Sequence, residues 1–184
     1  MTIYRGVAQL VAYVLWEHGA AGSSPVTSTT NLRKEEKNMI ETSQKENKQL
    51  CEQYPFLLPR NIWTDEISKD FDYSYTELDA MPDGWRKAFG LQMCEELKQE
   101  LIKINKMNEF RIVQIKEKFG ELRFYTNWVT DEIEAIINKY TKLSRKTCIN
   151  CGKPATVITT GWISPFCNDC VKDINDNYEP IEES

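Results

Sequence analysis

The stretch CINCGKPATVITTGWISPFCNDC, Cys148 to Cys170, holds two Cys-x-x-Cys pairs fifteen residues apart, and nothing else in the chain limits its folding as tightly. One Cys-x-x-Cys turn points two sulfurs at a common centre. Two such turns complete the tetrahedron that a structural zinc ion takes at about 2.3 Å from each thiolate. The spacing falls within the zinc range. Gly152 follows Cys151 and frees the backbone to turn its amides toward the sulfurs, and PATVITTGWISPF reads as a small hairpin with Gly161 near its turn. The 23 residues from Cys148 to Cys170 bury too little apolar surface to order themselves, so bound metal has to supply the order. The expectation is one structural Zn2+ per chain on Cys148, Cys151, Cys167 and Cys170. Disulfides or redox chemistry are the alternatives; a redox pair opens a helix after a strand, and two pairs around a hairpin do not provide that context.

The chain has 184 residues, 41% hydrophobic, with 23 basic and 28 acidic side chains. That length suits one domain with a small appendage. An acidic balance argues against a broad nucleic-acid surface while leaving room for a local positive patch. No apolar run is long enough for a membrane span.

The first thirty residues admit two readings. IYRGVAQLVAYVLW followed by GAAGSSPV has the outline of a signal peptide. Back-translated, however, GVAQLV can be written to resemble the D-arm and GSSPV the T-arm of a transfer RNA, about one transfer-RNA body apart. The favoured expectation is that residues 1–38 are transfer-RNA read-through and disordered, with Met39 as the real initiator. From Met39 onward the chain is cytoplasmic on this reading, carries net charge −6 and lacks histidine, since the sole one is His18. Imidazole-based catalysis and His-ligated metal then fall away.

Residues 39–147 read as an α+β body, 148–171 as the zinc knuckle and 172–184 as an acidic tail that frays. A polar lead passes into a short helix near Gln44–Gln53. An aromatic, proline-broken arm follows, with one short strand expected in it. Trp85, Phe89, Met93, Leu97, Leu101 and Ile104 form the stripe of a long helix from about Pro82 to Asn105, with Gly90 as its weak point. The period then switches to alternation in FRIVQIKEKFGELRFYTNW, a hairpin turning near Lys118–Glu121 with Gly120 at positive φ. A second helix, about Thr130 to Arg145, carries Ile133, Ile136, Ile137, Tyr140 and Leu143 behind a Thr130 cap. The long helix, hairpin, second helix and zinc-ribbon-like knuckle form one compact α+β unit.

Other clusters bear weighing. Lys116, Lys118 and Arg123 alternate with Phe119, Phe124 and Tyr125, as on a sheet face that binds single strands; a plain half-buried hairpin gives the same pattern and is the preferred reading. A continuous positive stripe joining Lys116, Lys118 and Arg123 to Lys142–Lys146 would favour nucleic acid. Lys142, Arg145, Lys146 and Lys153 are read as offsetting the charge of four thiolates and one Zn2+, with Arg145 and Lys146 also suiting a helix C-terminus. Trp162 and Phe166 are expected to seal the small hairpin against the preceding helix. Asp70, Asp72, Glu77, Asp79 and Asp83 are acidic loop residues without ligand spacing, and Cys94 is a small core residue rather than a nucleophile.

Together YPFLLPRN, DYSYTELDAMPDGWRKAFG, IKEKFGELRFY and the two cysteine pairs, about residues 54–170, resemble a group of uncharacterised small proteins of bacteria and their phages. That resemblance implies the same metal knuckle and no particular activity. The expected function is therefore a non-enzymatic, zinc-stabilised interaction or regulatory protein of phage or mobile-element origin, with a protein partner. The alternative is a nucleic-acid-binding zinc-ribbon module acting through Lys116, Lys118 and Arg123. An enzyme built on the Asp70–Asp83 carboxylates is the least favoured reading.

Overall fold

The fold is known from a computed structural model that describes residues 29–181, Ile62 excepted. It is mixed α+β: three helical segments and two small antiparallel sheets, with the four cysteines close together near the C-terminal end. Residues 1–28, which hold most of the transfer-RNA-like segment and His18, lie outside the described residues.

Helix α1, Thr29–Gln53, begins well before the expected Gln44 and takes in residues 29–38, where disorder is the expectation. The physical reason is composition: LRKEEKNMIETSQKENKQL is dominated by Lys, Glu, Gln and Leu, all strong helix formers. Its last turns are tied down by tertiary contacts. Asn47 donates to the Tyr73 carbonyl at 3.0 Å, Gln44 to the Asp72 carboxylate at 2.9 Å, and Cys51 is buried.

The proline-broken arm contains two 3-10 turns, Pro55–Leu57 and Glu77–Ala80, and no strand; the short strand expected there is absent among the described residues. Its prolines deny it both ladder hydrogen bonds and long helix, and burial holds it instead. Tyr54, Phe56, Leu57, Leu78 and Met81 are all buried, with Phe56 edge-on to Phe110 at 5.7 Å.

Helix α2 runs Asp83–Lys103, but its second turn, Arg86–Gly90, is a π-helix. The sequence explains this. Trp85, Phe89, Met93, Leu97 and Leu101 repeat every fourth residue. A strict four-residue repeat drifts about 40° per step around a 3.6-residue helix. A wider turn absorbs part of that drift and keeps all five side chains in the core, each 2% exposed or less. Gly90, the expected weak point, ends the π turn.

Strands β1, Ile112–Lys118, and β2, Glu121–Thr126, pair antiparallel around a two-residue turn. Phe119 and Gly120 both have positive φ, 55° and 72°, as a type I′ turn requires. Helix α3, Asp131–Ser144, is capped by Thr130, whose hydroxyl accepts from the Ile133 amide at 3.3 Å. Ile133, Ile137 and Tyr140 enter the core, whereas Leu143, expected in the stripe, is exposed. Ser144 takes the buried place instead, accepting from the Leu122 amide at 2.9 Å and so joining α3 to β2.

The second sheet lies within the cysteine region, in the order β4 (Pro165–Phe166), β3 (Val157–Thr159), β5 (Tyr178–Pro180). Its third strand comes from the tail expected to fray. The tail is held because Ile158 pairs with Glu179 and the Ile181 amide donates to the Thr156 carbonyl at 2.9 Å. No helix among the described residues is long and apolar enough to cross a membrane.

Candidate metal centre

Each cysteine pair sits on a hydrogen-bonded backbone turn. In the first, the Cys148 amide donates to the Lys153 carbonyl at 2.8 Å and the Gly152 amide to the Cys148 carbonyl at 3.0 Å, with Gly152 at φ 81°. In the second, the Val171 amide donates to the Cys167 carbonyl at 3.1 Å, opening the 3-10 turn Cys170–Asp173. The bond from the Ile149 amide to the Pro165 carbonyl, 2.9 Å, ties the two turns together.

The result is convergence. The four Sγ atoms lie within 4.8 Å of one another, and Cys151 and Cys167 are 3.6 Å apart. A disulfide would place them at about 2.05 Å. Four thiolates at 2.3 Å from a central ion stand about 3.8 Å apart along each edge of the tetrahedron. The separation therefore belongs to a ligand set rather than a bridge, and all four are free thiols. These four residues could hold a metal ion. Among the described residues they are the only such group of histidine, cysteine or acidic side chains; Asp70, Asp72, Glu77, Asp79 and Asp83 do not converge.

The thiols differ in their electrostatics: burial pushes Cys170 up to about 12 and Cys151 is raised as well, whereas Cys167 is lowered. Backbone amides, that of Cys170 foremost, bring the Cys167 thiol down to about 7 against the opposing effect of burial. Asn150 Nδ2 lies 3.5 Å from the Cys170 sulfur. Around the centre, Val157, Phe166 and Val171 pack with Cys148 and Cys167 in a small core of their own. Lys153 and Lys172 pair with Asp169, at 3.2 and 3.7 Å, so part of the nearby positive charge is already spoken for.

Where the knuckle docks differs from expectation. Packing against α3 is the expectation; the structure bonds the knuckle to the start of α2. The Gly84 amide donates to the Ile149 carbonyl at 2.9 Å, and the buried Trp85 ring donates through Nε1 to the Thr147 carbonyl at 2.9 Å. The two surfaces meet with no space for a side chain, which is why Gly84 and Gly152 face each other. The Asp-Gly-Trp run at a helix start was the sequence signal of this contact, since a glycine inside a helical pattern marks a close approach.

Of the two aromatics expected to seal the small hairpin, Phe166 is buried, but Trp162 is 76% exposed. The loop that carries Trp162 is held by the tail instead: the Asp176 carboxylate accepts from the Trp162 amide at 2.9 Å and the Gly161 amide at 3.3 Å. Cys51 and Cys94 stand apart from the centre. Burial pushes their thiols up, to about 11 and about 12, which suits inert core residues.

Lys116 and Arg123 are direct cross-strand neighbours on the solvent face of the hairpin. Glu121 accepts from Arg123 at 2.9 Å and from Arg145 at 2.8 Å, so the hairpin cations continue onto the C-terminal end of α3. No family model, curated protein or solved structure matches the chain.

Proposed function

We propose that Cys148, Cys151, Cys167 and Cys170 hold one structural Zn2+, and that the chain is a non-enzymatic, zinc-stabilised interaction or regulatory protein of the cytoplasm. The observation that carries this reading is the convergence of four free thiols within 4.8 Å on two amide-lined turns. Zinc is the ion that an all-cysteine tetrahedral set favours. Four protein ligands leave no open coordination position, so the ion serves architecture rather than catalysis. Its work is to fix the Cys148–Cys170 segment against Gly84 and Trp85. Free thiols of this kind persist in a reducing compartment. The kinship to small bacterial and phage proteins, and with it an origin in a phage or mobile element, rests on the motifs quoted above.

Native mass spectrometry and elemental analysis of protein purified without added metal test the reading. One equivalent of zinc is expected, with four thiols becoming reactive only after chelation. Less than half an equivalent with four reactive thiols, or two disulfides by mass, overturns it.

A further inference from the structure

The solvent face of the β1–β2 hairpin combines features that weaken the fold without serving it. Lys116 lies directly across from Arg123, and like charges so placed repel. Only Glu121 answers the cations here, and it is shared between Arg123 and Arg145. Lys116 meets the Gln114 side-chain carbonyl at 2.7 Å and the Tyr125 ring at 5.2 Å; Lys118 lies over the Phe119 ring at 5.2 Å. Neither lysine has a carboxylate partner among the described residues, whereas Lys103, Lys106, Lys139 and Lys153 each have one. The second feature is conformational. Phe119 sits at φ 55°, where a bulky residue is strained, and its ring is 67% exposed, so burial does not compensate. Tyr125, 47% exposed, stands at the other end of the same face.

Lys116 and Arg123 stand side by side, and Lys118 and Arg145 follow at the turn end around Glu121, which faces Lys118 across the strands, in a chain whose net charge is −5. These cations make a local positive patch around the Glu121 carboxylate, of the kind that phosphate contacts can use. From the Tyr125 row to the turn is four residue steps, about 13 Å of platform. Sheet faces that take single strands stack two or three bases on their aromatics while cations follow the backbone.

We propose that this face binds single-stranded nucleic acid, with Lys116, Arg123 and Arg145 against phosphates and Tyr125 and Phe119 stacked on bases. A polyanion relieves the Lys116–Arg123 repulsion, and bases cover the two exposed rings. A single strand is chosen over a duplex because a duplex does not offer base faces for stacking. The inference names a partner for the interaction module proposed above and in that sense rests on it. The buried side chains of the two strands belong to the main core, while Gly120 in the turn lies against Ile163 and Pro165 of the cysteine region, so zinc content is followed beside binding to let the two fail separately.

The test uses the full chain and fluorescein-labelled dT20 and rU20, followed by anisotropy at 50 and 200 mM salt. Three phosphate contacts give a salt slope of about −2, or roughly 20-fold weaker binding at the higher salt. Lys116→Ala with Arg123→Ala is expected to weaken binding at least about tenfold and bring the slope to about −1 or shallower. Tyr125→Ala is expected to weaken it about tenfold with less change in slope. Phe119→Asn removes a ring while keeping a residue at ease in the turn, and is expected to weaken binding several-fold. Lys103→Ala should leave affinity unchanged. Melting temperature and zinc content are measured on every variant. Binding that survives the double variant with the fold intact, or tighter binding to a duplex of equal length, overturns the proposal. So does equal affinity for labelled poly-glutamate, which would make the partner an acidic protein. If zinc is absent while the double variant still abolishes dT20 binding, the hairpin site stands and the metal assignment falls.

Discussion

The carbonyl oxygen of Gly84 lies 2.6 Å from the point that a β-carbon on Gly152 would occupy, and a β-carbon on Gly84 would come within 2.2 Å of the Cys148 carbonyl oxygen. Neither position can accept a side chain without the helix and the cysteine turn moving apart. Gly84→Ala is expected to destabilise the protein by at least about 2 kcal/mol through backbone overlap. Gly152→Ala adds strain at φ 81°, roughly 1–3 kcal/mol, to a similar clash. Urea unfolding checks both; a change under 0.5 kcal/mol in either would show that the turn is free to shift.

Loss of the ion should be read most clearly by hydrogen exchange. Cys167→Ser is expected to release metal and raise exchange across 148–171. The same variant should expose the Gly84 amide, because its acceptor is the Ile149 carbonyl. Protection in the Met93–Leu101 helix and the β1–β2 ladder should persist, since these lie in the larger core. Uniform loss of protection over the whole chain would mean that the metal supports the entire fold.

The β1–β2 turn offers a stabilising change. Phe119 occupies a left-handed position that asparagine adopts more easily, and the Asn-Gly pair is the preferred type I′ turn. Phe119→Asn forfeits the exposed contact with Lys118, so the net gain is about 0.5–1 kcal/mol. Thermal unfolding decides; a fall in melting temperature would show the ring to be part of the fold.

Glu77 supplies a pH dependence. Burial pushes its carboxyl up from the ordinary 4.5 to about 7. The folded state thus prefers the protonated form, while the unfolded chain ionises near 4.5. Stability from this group is complete below about pH 4.5 and is lost as pH rises toward 7. Glu77→Gln is expected to stabilise by roughly 1–3 kcal/mol at pH 8 and hardly at all at pH 4. An equal gain at both pH values would remove the titration from the explanation.

What could be read from sequence follows a physical line. The α2 stripe, the hairpin, the Thr130 cap and the four cysteines are local patterns, set by neighbours three or four residues away, and their positions were legible. The π turn was legible in hindsight from the unbroken four-residue repeat of Trp85, Phe89 and Met93. The seat of the knuckle on Gly84 was not, because it joins residues more than sixty positions apart and leaves only a glycine as its mark. Nor was the third strand of the small sheet. Tyr178–Pro180 is exposed and is ordered by backbone pairing with Val157–Thr159 and by the bonds of its neighbours Asp176, Asn177 and Ile181. Trp162 was misplaced for a related reason: an aromatic is expected to bury itself, and Asp176 instead fixes its loop from the backbone side.

The contact between Trp85 and Thr147 also orders events on the ribosome. The indole is made 62 residues before the carbonyl that receives its hydrogen bond. Until Thr147 has emerged, the Trp85 indole has no acceptor for that bond. The first cysteine turn follows directly, and its Ile149 carbonyl accepts from the Gly84 amide. A chain stopped short of Thr147 therefore leaves both the Gly84 amide and the Trp85 indole without these partners.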